Sequence, residues 1–135
     1  MHETKIAIVL RDDLQPWQAL NVTAFLTGGL VARSAELIGE PYRDGVGNVY
    51  NPLIRQPVIV LSASGETMAR IHQRCLTRKV RASAYVEEMF ETGHDAANRD
   101  VFSRYAPEEA KLVGLAIHED RKTVDKITKG ARMHP

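Results

Sequence analysis

The chain has 135 residues, of which 44% are hydrophobic and 26% charged, with a formal net charge of +1. That balance points to one globular domain, residues 1–135, and excludes both a disordered chain and a strong overall field for nucleic acid. A single Cys excludes an internal disulfide and fits a cytoplasmic setting, while no apolar run reaches the ~18–20 residues that a membrane helix needs.

The segment "MHETKIAIVL" has a short apolar run with no small-residue cleavage site behind it, so no signal peptide is expected. Lys5–Leu10 predicts a strand covered on both faces, because its apolar residues are consecutive and β-branched. "RDDLQPWQALN" follows. Pro16 suits the first turn of a helix, which the pattern carries to Arg33. Trp17, Leu20, Ala24 and Val31 make one apolar stripe of that helix, and Val22, Phe25, Leu26 and Leu30 a second. A helix apolar on two sides is expected to be mostly covered by protein. Gly28-Gly29 marks close packing or a bend.

Residues 35–56 read as irregular, with Asp44-Gly45 and Gly47-Asn48 turn signals suiting a hairpin. A second strand is expected over Val58–Ala63, then a helix capped by Ser64 and running to about Lys79. Val80–Val86 predicts a third strand, Asp95–Tyr105 a helix, Lys111–Ile117 the last strand and Arg121–Ala131 the last helix. Alternation of this kind implies an α/β fold with helices on both sides of a sheet.

Standard catalytic signatures are missing. There is no Gly-rich phosphate loop between a strand and a helix, no G-x-S-x-G elbow, and no metal-ligand spacing among His2, His72, His94, His118 and His134. No metal and no cofactor are expected. Cys75 falls on an inward stripe and reads as core. What remains is the carboxyl edge of the sheet, where open α/β folds bind ligands. Arg11 and Asp13 end the first strand, Glu87 and Glu88 end the third, and His94 and Asp95 follow soon after. A carboxylate beside an imidazole makes a general base, so Asp13, Glu87 and His94 are the candidate catalytic residues. Arg11, Trp17, Asn21, Glu88, Asp95 and Asn98 are the candidate ligand contacts. Simpler roles compete: Arg11 paired with an Asp, Asp95 as a helix cap, and Asn21 bonded to a neighbouring loop.

"KIAIVLRDDLQPWQALNVTAFLTGG", "NPLIRQP", "TGHDAANRD" and "LVGLAIHEDRKTVDKITKGARMHP" closely resemble, over essentially the whole chain, an uncharacterised bacterial family catalogued as a domain of unknown function (DUF2000). That family is grouped with the archaeal-type, or type II, peptidyl-tRNA hydrolases. The hydrolases open on a Lys-led strand ending Val-Arg-x-Asp-Leu, which Arg11, Asp13 and Leu14 match, and their last helix carries Asp-Lys-Val-Thr, which Asp125–Thr128 resembles. The resemblance implies a three-layer α/β/α sandwich around a four-stranded mixed sheet of order 2143 with one strand antiparallel. It also implies a homodimer. The hydrolases' Gly-Lys-Gly-Lys loop is replaced here by Gln15-Pro16-Trp17, and the Asp-Ala-Gly segment after their third strand by "EEMFETGHD". Their chemistry is therefore not carried over. The expected function is binding of a small anionic or aromatic ligand at the strand-end cleft. The alternatives are a hydrolase acting through Glu87 and His94, and RNA binding through Arg121, Lys122, Lys126, Lys129 and Arg132.

Overall fold

The computed structural model describes residues 3–135. The elements in chain order are β1 (Thr4–Arg11), α1 (Pro16–Arg33), β2 (Tyr42–Arg43), β3 (Val49–Tyr50), β4 (Val58–Ala63), α2 (Gly65–Thr77), β5 (Ser83–Val86), α3 (Asp95–Ser103), β6 (Leu112–Asp120), α4 (Arg121–Ile127) and β7 (Arg132–Met133). Short 3-10 turns occupy Ala35–Leu37, Glu87–Glu91 and Pro107–Glu109.

The main sheet has five strands in the order β5-β6-β1-β4-β7, and β2 and β3 form a separate two-stranded sheet. This corrects the expected three-layer sandwich with a four-stranded 2143 sheet. Two strands run against the rest rather than one: β6 is antiparallel to β1 and β5, and β7 is antiparallel to β4. β7 has only two residues, too few to show any alternation in the sequence. Gly130, at φ +99°, turns the chain out of α4 and back along β4.

β1 lies at the centre because Ile6–Val9 are fully buried and so need cover on both sides. Its register with β4 is parallel, Ile6 opposite Val58 through Arg11 opposite Ala63, while β6 runs antiparallel, Ile8 opposite Ala116. Side chains alternate between two faces. Ile6, Ile8 and Leu10 join Val22, Leu26 and Leu30 of α1 in one apolar cluster. Ala7 and Val9 join Met68 and Ile71 of α2 with Val124 and Ile127 of α4 in the other.

The helices start where the sequence supplies partners for free backbone N–H groups. Pro16 opens α1, and Gln18 Oε1 accepts the Gln15 N–H at 2.9 Å. Ser64 Oγ accepts the Thr67 N–H at the head of α2. α3 begins at Asp95, the residue expected to cap it, and the cap is instead His94, one residue earlier, whose Nδ1 accepts the Ala97 N–H. α3 buries none of its residues.

Candidate functional site

The strand ends bring Arg11, Asp13 and Glu87 together. Arg11 Nε donates to Asp13 Oδ1 at 2.6 Å, and its Nη1 donates to Glu87 Oε2 at 3.0 Å. Burial on its own would lower the Arg11 pKa, but the two carboxylates outweigh it and the guanidinium is held charged. The hydrogen bond from Arg11 holds the Asp13 carboxyl below its ordinary range. Asp12, beside them, faces Arg132 at 3.5 Å. One guanidinium between two carboxylates is already neutralised, so this edge offers an incoming anion repulsion rather than a free cation. That corrects the expected anion cleft: the cation meant to hold the ligand is spent on the protein's own carboxylates.

The other expected residues fall in a neighbouring trough between α1 and α3. Trp17, Asn21, His94, Asp95 and Asn98 line a cavity of about 390 Å³ that Arg11, Asp13 and Glu87 do not reach. Its polar groups serve one another. Asn21 lies beside the Tyr85 phenol, whose hydroxyl donates to Met89 O at 3.5 Å, Asp95 pairs with Arg99 at 2.6 Å, and the Thr92 hydroxyl bonds the Asn98 side chain. His94 Nδ1 is occupied by its capping bond. The Glu87–His94 base of the hydrolase alternative is therefore not assembled: Glu87 is tied to Arg11, and His94 turns its Nδ1 to the start of α3. Glu88 sits in the 3-10 turn after β5, its Oε1 buried with no hydrogen-bond partner. The trough wall is a ladder of rings in which Trp17 meets Phe90 (5.8 Å between centroids), Phe90 meets Tyr85 (5.2 Å), and Tyr85 meets Phe25 (5.7 Å).

The RNA alternative is corrected by the same kind of pairing. Lys5 is bonded to Asp125 within the basic helix, Arg132 faces Asp12, and Asp120 lies close enough to Lys122 and Lys126 to feel their charge. Acidic residues interleave the basic ones, so no unbroken cationic track forms. Among the described residues no group of three or more His, Cys, Asp or Glu could hold a metal ion. Among them, too, no helix is long and apolar enough to cross a membrane. His2 lies outside the described residues.

Beyond Trp17, already a candidate contact, the residues that sequence reasoning missed are on the outside of α1. The helix was expected to be covered, yet Trp17 is 59% exposed, Leu20 73% and Phe25 57%. Ala24, Gly28 and Ala32 are exposed beside them, and nothing lies within 4 Å of where a Gly28 Cβ would sit. Arg33 is the only charged residue in the whole helix. Its threonines add little polarity outward, because Thr23 donates to Ala19 O and Thr27 to Thr23 O, each at 2.8 Å. The covered side of α1 is Ala19, Val22, Leu26 and Leu30, four residues that suffice to seat it on the sheet. The signal was in the sequence: a surface helix needs one apolar stripe, and this one has two with no charge between them.

The comparison with curated proteins found no match. The solved structure of a protein of unknown function from Agrobacterium tumefaciens strain C58 is 61% identical, with a TM-score of 0.98 and full coverage of both chains. Neither that structure nor the matching family is described as a peptidyl-tRNA hydrolase. The family model described as "Protein of unknown function (DUF2000)" matches residues 4–135, and the chain belongs to that family.

Proposed function

We propose that the protein works by docking another polypeptide on the outer face of α1. The observation that carries this reading is the uncharged, exposed run from Trp17 through Leu20, Ala24, Phe25 and Gly28 to Ala32. Apolar surface of this extent, gathered on one helix rather than scattered, marks an interaction site. Arg11 with Asp13, and Arg99 with Asp95, are paired within the chain beside this face, and the face itself carries no charge between Pro16 and Ala32, so the partner is recognised mainly by shape and apolar contact. The two apolar clusters share one sheet, which supports reading residues 1–135 as one domain. The lone, buried Cys75 supports a cytoplasmic setting. Kinship with the type II hydrolases is supported only by the motifs at Arg11–Leu14 and Asp125–Thr128, and none of their chemistry enters this reading.

The test is photocrosslinking in living cells with benzoylphenylalanine in place of Leu20 or, as a control off the face, Gln73. A discrete adduct formed from position 20, identified by mass spectrometry and not formed from position 73, is the expected result. No adduct from position 20 would end the reading.

A further inference from the structure

We propose that the chain docked on α1 is a second copy of this protein, with the two α1 helices antiparallel across a two-fold axis near Ala24. The inference rests on the docking reading above and names its partner.

Size along the helix is the first argument. Along the middle of the exposed face the N-terminal half carries the large side chains, Trp17 and Leu20, and the C-terminal half the small ones, Gly28 and Ala32, while Phe25 stands on the flank against Tyr85. Such a gradient is complementary to itself only head to tail. Antiparallel pairing about position 24 puts Leu20 of each copy over Gly28 of the other and Trp17 over the turn at Val31 and Ala32, where Ala32 leaves room on the exposed side. Parallel pairing would set Trp17 on Trp17 and leave the glycine end hollow. A two-fold axis repeats each contact and closes the assembly at two chains.

Space and charge agree. Trp17 leans toward Phe90, on the β5 side of α1. On that same side a cavity of about 380 Å³ opens between Gly29, Ala32 and Arg33 of α1 and Arg81 and Ser83 of the β5 region. The two-fold operation keeps that side, so each indole faces the hollow of the other copy. Arg33, the one charge of α1, stands at the C-terminal end of the face, beyond the uncharged run that meets the other copy. Two helices in contact along ~27 Å bury on the order of 1,000 Å² in total, which reaches the lower limit for a specific dimer.

The experiment is sedimentation velocity on the purified chain over a micromolar-to-submillimolar range, paired with disulfide trapping. The wild type and Gln73→Arg are expected to shift reversibly from 15.1 kDa to twice that mass. Ala24→Arg, which sets like charges face to face at the axis, is expected to weaken the dimer about a hundredfold with an unchanged circular dichroism spectrum. Under oxidation Ala24→Cys crosslinks across the axis, and Ala32→Cys, held away from its own counterpart, does not. A monomer at every concentration, a dimer indifferent to Ala24→Arg, or trapping of both cysteine variants would overturn the proposal. A monomeric chain whose position-20 photoprobe still captures a different, identified protein would overturn the second copy while leaving the docking reading standing.

Discussion

Gly114 shows how closely α1 is fitted to the sheet. A Cβ there would collide with Val22 Cγ1 and sit 3.0 Å from Leu26 Cδ1, both on the buried side of α1. Gly114→Ala is therefore expected to cost about 1–3 kcal/mol, read as a lower urea midpoint with an unchanged slope. Gly29 is similar on the flank, where a Cβ would lie 2.6 Å from Ser83 Oγ, whereas Gly28 faces open space. The pair Gly28-Gly29 marks close packing or a bend in the sequence, and only Gly29 is closely packed, because neighbours on a helix point about 100° apart. At the strand ends the charged residues were legible as a cluster, and Arg11, Asp13 and Glu87 do meet. What the residues alone did not reveal is that they consume one another. Composition cannot say whether a cation is available or already paired.

Single elements were legible in proportion to their length. α1 spans Pro16–Arg33, the range its apolar periodicity and Pro16 predict, and β4 spans Val58–Ala63 as its apolar run does. The hairpin of β2 and β3 was visible only as turn residues, and its order comes from one side chain. The Asp44 carboxylate accepts from the Val46 and Asn48 N–H groups, the Asn48 side chain and the Tyr50 hydroxyl. These bonds, the Asn48 side chain first and Tyr50 next, lower its pKa from 3.8 to about 2. A folded-state pKa below the unfolded one stabilises the hairpin fully above 3.8, and that support is lost as pH falls through about 2. Carboxyl NMR titration is expected to give an Asp44 midpoint near 2, with the cross-hairpin Overhauser effects between Tyr42 and Tyr50 fading over the same range and the midpoint raised by Tyr50→Phe. A midpoint at the ordinary value would contradict the network.

At the scale of the whole molecule, the alternation of strands and helices foretold the α/β class but not the sheet. Strand order and number depend on pairings far apart in the chain, and β7 forms only because Gly130 swings residues 132–133 back onto β4. There Leu61 pairs with Met133, Ser62 pairs with Arg132, and the His134 N–H reaches Val60 O. β7 is thus the cover on one edge of the sheet. Ending the chain at Lys129 should uncover β4, lower stability by about 1–2 kcal/mol and promote association on heating, as unpaired edges do. Calorimetry with light scattering checks both effects, and an unchanged melting temperature would show that β7 adds nothing.

The chain has one tryptophan, and it stands on the exposed face of α1, edge-on to Phe90. Intrinsic fluorescence therefore reports from a single address. While the face is open to water, Trp17 emits at long wavelength and is quenched readily by acrylamide. When another surface settles on α1, emission moves to the blue and quenching falls, whether or not the rest of the fold changes. The protein carries its own optical reporter of occupancy, and no label need be attached to read it.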